Sequence, residues 1–342
     1  MLELMQENIP LKDYTTMKIG GPARYMATAN SKDELVSLVQ QAGEMPILVM
    51  GQGSNVIVGD NGFAGLVILN RIMGFEIYDQ DPAATKIKIG GGEAWDSVVQ
   101  RSTENGLSGI ECLSAIPGCT GAAPVQNIGA YGQEIADTLI ELEAYDLQTK
   151  QFATFSNSDC DFTYRRSVFN FGAQKGRYVI TSVSLQLQKT IMQPPFYSSL
   201  QAYLDKNQIT DYSPYNLRNA VVAVRASKLP DPGLIPNTGS FFRNPIIENW
   251  QASKLRDEYP DVKIFPMGDN LSKISAGWLV ENTGIKGLEI EGFRVYDSNA
   301  LVITNLGNGD YRGLTAIRDY IIGAVRDKFR IMLEQEPEEV GI

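Results

Sequence analysis

Seventeen consecutive uncharged residues, IPGCTGAAPVQNIGAYG from Ile116 to Gly132, carry four glycines and two prolines. Glycine lets backbone approach a ligand closely and adopt positive φ, and proline fixes the turns between. A loop of this make-up offers backbone N–H groups at close range, a way of cradling a pyrophosphate without a cluster of lysines. An ordinary tight turn seldom needs so many glycines, so a cofactor-cradling loop is the better reading. The chain contains no histidine. Ser-His-Asp hydrolysis and most zinc catalysis are therefore excluded, and any proton transfer falls to Glu, Asp, Lys, Tyr, Cys, Ser or water. Cys119 lies inside the glycine loop and could act as a nucleophile, but without a histidine base it reads better as a small buried filler. With Cys112 and Cys160 it shows neither the spacing of a metal site nor an even count for disulfides, so no metal is expected.

The 342 residues are 43% hydrophobic and 20% charged, enough for the cores of two or three domains. A net charge of −10 argues against nucleic-acid binding, because nothing basic is concentrated enough to displace counterions. No apolar run approaches a membrane span and no basic-then-apolar leader opens the sequence, which gives the cytoplasm as the expected compartment. No apolar surface stripe demands a second copy, so a monomer is expected.

These residues need elements to hold them. Ala23–Ala29 reads as a short strand, and Asn30-Ser31 as the cap of a helix with Glu34, Leu35, Leu38 and Val39 at helical spacing. Residues 46–50 read as a buried strand ending at Gly51-Gln52-Gly53-Ser54-Asn55. A glycine turn after an apolar strand raises the dinucleotide-binding fingerprint, but the full glycine pattern is missing and Val56–Val58 resumes strand, so that fingerprint is rejected. Further strands are expected over 65–70, 87–92, 140–145 and 178–187. Helices are expected over 95–105, 250–259, 275–283 and 314–328, the last with Leu314, Ile317, Ile321, Ile322 and Val325 on one apolar face. Strands and helices mix without regular alternation, which is an α+β layout.

Seven segments now carry a specific resemblance: MKIGGPARY, MGQGSNVIV, the glycine loop, FTYRRSVF, SKLPDP, NTGSFFRNP and SAGWLVE, in that order along essentially the whole chain. Together they resemble the UDP-N-acetylenolpyruvoylglucosamine reductases, in the subtype with a tyrosine-bearing loop. The resemblance implies a two-lobed FAD-binding fold of the vanillyl-alcohol-oxidase type plus a C-terminal α+β substrate-binding domain. The lobes would be residues 1–70 with 326–342, then 71–213, with 214–325 as the substrate domain. It implies noncovalent FAD, NADPH as reductant, and the reduction of UDP-N-acetylglucosamine enolpyruvate for peptidoglycan precursors and so for cell-wall growth.

The family's site residues carry over onto matching positions. Gly51, Gln52, Gly53, Ser54 and Asn55 would wrap FAD with Ile116, Pro117, Gly118, Gly121, Ala122, Ala123, Gly129, Ala130 and Tyr131, while Gln126 and Asn127 reach polar flavin or ribityl atoms. Arg165, behind Tyr164, matches the active-site arginine, Ser240 the catalytic serine, and Asn244, Lys228, Tyr164 and Tyr197 the substrate contacts. Alignment from Phe329 and Leu333 puts Glu336 in the catalytic glutamate's place; matching the Glu-Pro-Glu triplet would pick Glu338 instead.

Hydride attack on an enol ether needs an electron sink, which the conjugated carboxylate provides, so groups aimed at the developing negative charge lower the barrier. A guanidinium at Arg165 suits that carboxylate, a protonated Glu336 would share its charge, and Ser240 would protonate the neighbouring carbon. Taken alone, each has a plainer role: Arg165 and Arg166 as a surface pair, Ser240 as a turn residue, Lys228 as a loop residue, and Glu334–Glu339 as an acidic tail. Two other functions fit less well. A flavin oxidase of small alcohols would ordinarily use histidine, and a noncatalytic flavin or nucleotide-sugar sensor would have no use for Arg165, Ser240 and Glu336 together.

Overall fold

In a computed structural model, residues 5–78 and 81–342 are described, and the chain divides into two compact units. The first holds residues 1–9, 23–53 and 64–227; the second holds 10–22, 54–63 and 228–342.

In the first unit, strands Ile47–Met50 and Phe63–Asn70 run parallel with Val49 opposite Ile68, and Pro22–Ala29 and Gln6–Pro10 extend the sheet beyond Phe63–Asn70. Helix α1 (Lys32–Ala42) starts where Ser31 accepts the Glu34 N–H, the expected cap, worth about 1 kcal/mol. Its Leu35, Leu38 and Val39 are buried with Ala27, Leu66 and Ile68. A five-stranded antiparallel sheet follows, ordered Gln151–Ser156, Leu139–Asp146, Tyr178–Gln188, Ala84–Gly90, Phe75–Tyr78. Helix α2 (Trp95–Glu104) buries Trp95, Val98 and Val99 with Ile87, Ile89, Val183 and Leu185.

Two helices of this unit gave no clear signal in the sequence, α3 (Ser198–Lys206) and α4 (Pro214–Ala226). Their Leu200, Leu204, Leu217 and Val221 form a separate small core with Cys112 and Phe196. The stretch from Pro214, read from sequence as opening the third region, thus packs with α3 inside the first unit, which ends at Ser227.

The second unit has a four-stranded sheet ordered Asn237–Ser240, Val302–Asn305, Phe293–Val295, Glu289–Ile290, and a three-stranded sheet of Ile246–Glu248, Leu271–Ile274 and Ile264–Met267. Helices α5 (Asn249–Glu258) and α6 (Ala276–Glu281) belong to it, as does α7 (Tyr311–Phe329). The α7 helix is capped by Asp310, whose carboxylate accepts the Gly313 N–H at 2.8 Å. Leu314, Ile317, Ile321, Val325 and Phe329 face the core, each contributing about 1.5–3 kcal/mol of burial. Ile322, expected on that face, is only partly buried. Beyond α7 the chain returns as strand Glu338–Val340, parallel to Val56–Val58. No helix among the described residues is long and apolar enough to cross a membrane.

Candidate active site

The glycine loop of the first unit is stacked against two other turns. Its Gly118 N–H donates to Gln52 Oε1 at 3.1 Å, and its Gly121 N–H to the Gly91 carbonyl at 2.8 Å. A Cβ on Gly51 would stand 3.0 Å from Cys119 Cβ and Sγ; one on Gly121 would stand 2.8 Å from the Ile180 carbonyl oxygen, and one on Gly91 2.3 Å from it. The glycines therefore let three backbone segments meet without side chains between them. Arg71 braces the first turn, its Nη1 donating to the carbonyls of Gly51 at 3.0 Å and Asn70 at 2.9 Å.

The loop's N–H groups are less available than the sequence suggests. Those of Thr120, Ala122, Ala123, Val125 and Asn127 close short turns or reach Glu93. Asn127 is also committed: its Nδ2 donates to Glu134 at 2.7 Å and the Thr163 carbonyl at 3.1 Å, and its Oδ1 accepts the Ala136 N–H. Its side chain fixes the loop rather than facing a ligand, and its positive φ of 43° serves the same turn. An uncharged cradle of close-packed backbone still fits a flavin nucleotide, which needs narrow walls for the ring and chain and backbone dipoles for the diphosphate.

Arg165 is carried to this loop by a tight turn. Thr163 and Arg166 exchange both backbone hydrogen bonds at 3.0 Å, leaving Tyr164 and Arg165 as the turn residues, with Arg165 at φ 58°. Asn127 holds the turn at the Thr163 carbonyl, and Asn170 Nδ2 holds the Arg165 carbonyl at 3.1 Å. Arg165 Nη2 then donates to the Gly129 carbonyl at 2.8 Å, and its guanidinium lies 5.2 Å from the centre of the Tyr164 ring. The left-handed backbone is strain held by these contacts, a common mark of functional positions. Arg166 lies 4.5 Å from the exposed Phe171 ring, as a surface residue would. Tyr131 and Tyr197 meet edge to face at 5.7 Å, so the tyrosine segment before α3 touches the end of the glycine loop.

In the second unit the serine and glutamate segments lie side by side. Ser240 ends its strand exposed, after Gly239 at φ 72°, while Phe241 and Phe242 are fully buried. Phe242 bridges Gln335: the Glu336 N–H donates to the Phe241 carbonyl and the Arg243 N–H to the Glu334 carbonyl, both at 2.9 Å. Asn244 Oδ1 accepts the Ala276 N–H at 2.9 Å, capping the start of α6. Glu338 instead sits in the closing strand, its N–H on the Asn55 carbonyl at 2.9 Å. Glu339 receives Arg318 Nη1 at 2.6 Å and the Tyr311 hydroxyl at 3.1 Å. Lys228 is exposed at the start of the unit's longest segment, 228–342.

Sequence reading missed one brace. Asp96, in the first turn of α2, is gripped in a fork by Arg218 of α4 at 2.6 and 2.9 Å, and its Oδ1 accepts the Ala115 N–H at 2.6 Å. It positions the residue before Ile116, and its carboxyl is held below the usual range: the hydrogen bonds from Arg218 and Ala115 outweigh burial, the largest single influence, which pulls the other way. An acidic residue at a helix start was visible, but nothing local pairs position 96 with 218. The cysteines are all buried free thiols. Burial raises the Cys119 pKa against the pull of Arg71, which suits a filler rather than a nucleophile.

Comparison with known proteins places these features in context. Residues 23–152 match an FAD binding domain, and residues 231–340 match the C-terminal domain of UDP-N-acetylenolpyruvoylglucosamine reductase. The reductase of that name from Photorhabdus laumondii is 37% identical over 335 residues, 97% of this chain and 96% of the relative. That from Pasteurella multocida is 38% identical, over 86% of this chain and 85% of its own length. The crystal structure of the Thermus caldophilus reductase superposes with a TM-score of 0.67 at 25% identity, covering 98% of this chain and 99% of that one.

Proposed function

The chain belongs to the UDP-N-acetylenolpyruvoylglucosamine reductase family, and we propose that Arg165, Ser240 and Glu336 carry the chemistry of that reaction in it. It is an FAD-dependent oxidoreductase that reduces UDP-N-acetylglucosamine enolpyruvate to UDP-N-acetylmuramate with NADPH, in peptidoglycan precursor synthesis. Bound FAD supplies the two-electron relay between NADPH and the alkene. Gly51–Asn55 and the loop from Ile116 to Tyr131 hold it, with Asn127 acting through the loop's shape.

The protein's own residues handle charge and protons. Arg165, presented in a fixed orientation by the Thr163–Arg166 turn, takes the enolpyruvyl carboxylate in a fork and meets the charge that builds there. Glu336, protonated, shares that charge, and the Ser240 hydroxyl delivers the proton to the carbon beside the carboxylate. The observation that supports this division of labour is the bridge of Phe242 with Gln335, which sets Glu336 across from the residue after Ser240. It favours Glu336 over Glu338. Tyr164, Lys228 and Asn244 hold the sugar nucleotide. Tyr197 closes over it from the segment that touches Tyr131, as in the tyrosine-loop subtype. In this reading the enzyme works as a monomer in the cytoplasm.

An anaerobic spectral titration tests the reading. NADPH should bleach the flavin band, and UDP-N-acetylglucosamine enolpyruvate should restore it. A band that NADPH bleaches and this substrate leaves bleached would overturn the assignment.

A further inference from the structure

Arg225, in the last turn of α4, has an Nε atom buried with no hydrogen-bond partner among the described residues. Arg218, two turns earlier on the same helix, is matched by Asp96 in a two-point ion pair. Arg225 has no such match. Asp96 is close enough to feel its charge, but both its oxygens are taken by Arg218 and the Ala115 N–H. Its other electrostatic neighbours are the Tyr131 phenol and a second cation, Arg165. Burial pulls the Arg225 guanidinium below its ordinary range and Arg165 adds to that, while Tyr131 and Asp96 pull back. A half-buried guanidinium whose Nε is sealed from solvent without a partner, beside a like charge, is a costly arrangement for the protein by itself, and one an incoming anion completes.

We propose that Arg225 is an anion-binding residue of the active site, meeting with Arg165 the negative charge that a bound ligand brings to the Tyr131 end of the glycine loop. The required ligand is a flat, delocalised oxyanion. Two sources supply one in the family reaction, the pyrimidine edge of the reduced flavin and the carboxylate of the enolpyruvyl ether. The proposal rests on that reaction, which the wild-type spectral titration tests separately.

The test uses holoenzyme carrying Arg225→Met, which keeps the aliphatic stem and removes the charge, and Arg225→Lys, which keeps the charge without the fork. Two quantities are read: the midpoint potential of bound FAD, and the Kd of UDP-N-acetylglucosamine enolpyruvate for oxidised enzyme, with UDP alone as a ligand lacking the carboxylate. If the flavin is the source, Arg225→Met lowers the affinity for reduced relative to oxidised FAD by at least tenfold. That is a fall of about 30 mV for a two-electron couple, with the substrate Kd unchanged. If the substrate is the source, the Kd rises at least tenfold, the potential holds and UDP binding is unaffected. In either case the Lys variant falls between. A Met variant with wild-type potential and wild-type Kd overturns the proposal and leaves Arg225 a structural residue. Should the Met variant not fold, the Lys variant decides by the same two readings.

Discussion

Glu336 donates its backbone N–H to the carbonyl of Phe241, the residue after Ser240, at 2.9 Å. Glu338, two residues on, belongs to a different pairing, with its N–H on Asn55. Glu336→Gln should therefore slow reoxidation of reduced flavin by the enolpyruvyl substrate by about 10²- to 10³-fold, the range for a lost group that meets developing charge. Flavin reduction by NADPH should stay within a few-fold of wild type. Glu338→Gln should leave both half-reactions nearly unchanged. Stopped-flow absorbance of the two half-reactions checks this, and the reverse pattern would transfer the role to Glu338.

Arg165 can be displaced without altering its charge. A Cβ on Gly129 would stand 3.1 Å from Arg165 Nη1 and 2.8 Å from Glu134 Cγ, so Gly129→Ala pushes the guanidinium away from its anchoring carbonyl. We expect kcat/KM for the enolpyruvyl substrate, measured on the FAD-loaded fraction, to fall about tenfold, equivalent to about 1.4 kcal/mol of lost transition-state stabilisation. Arg165→Lys should cost more, because the fork itself is lost. Steady-state kinetics on FAD-replete enzyme reads both.

The strands near residues 23–29, 46–50, 56–58, 65–70, 87–92, 140–145 and 178–187, the capped helix at Ser31, α2 and α7 were legible because each carries its own periodicity or cap. Gln6–Pro10, Phe75–Tyr78, Gln151–Ser156 and the strands of the second unit's two sheets, several of them only two to four residues long, were not. Gly51 to Asn55, the glycine loop and the arginine turn were legible as motifs. What those motifs do in space was not. Asn127 looks like a ligand contact in a row of residues, yet its side chain is used up by Glu134, Thr163 and Ala136, which approach only through the fold. The α3 and α4 helices have no side-chain bond at either start, and their apolar residues pack on each other, on the neighbouring Phe196 and on Cys112 far back along the chain. Arg225 carries no motif in the sequence, and the helix that ends beside it gave no signal there either. The burial of Arg225 against Tyr131 and Asp96 is a tertiary fact with no local trace.

The packing of Gly51 on Cys119 makes a paired prediction. Gly51→Ala places a Cβ 3.0 Å from both Cys119 Cβ and Sγ, so the first glycine turn must move away from the glycine loop. FAD should bind at least tenfold more weakly and be lost on gel filtration. Adding Cys119→Gly removes the obstructing atoms and should restore much of the affinity, a coupling that a double-mutant cycle measures directly. Independent effects of the two changes would show that this contact does not set the cofactor cradle.

The buried thiols set how stability responds to alkaline pH. Cys112 and Cys160 are both fully buried, and burial pushes each thiol up to about 12, with Glu111 and Asp159 adding to it. An unfolded cysteine ionises near pH 8.5. Between about 8.5 and 12 the unfolded chain therefore gives up protons that the folded chain keeps, so stability is fully present below 8.5 and is lost as pH rises. The slope is at most about 1.4 kcal/mol per pH unit for each thiol. Lysines and tyrosines also titrate in this range, so the informative quantity is a difference. The loss of stability between pH 7.5 and 10, from urea unfolding midpoints, should be smaller by a few kcal/mol in the Cys112→Ala/Cys160→Ala variant than in wild type. Equal losses would mean that the unfolded chain does not free these thiols or that the folded one does not hold them protonated. Alkylation identifies the second case: a native protein that reacts with iodoacetamide at both positions at pH 9 neither shields these thiols nor holds them protonated.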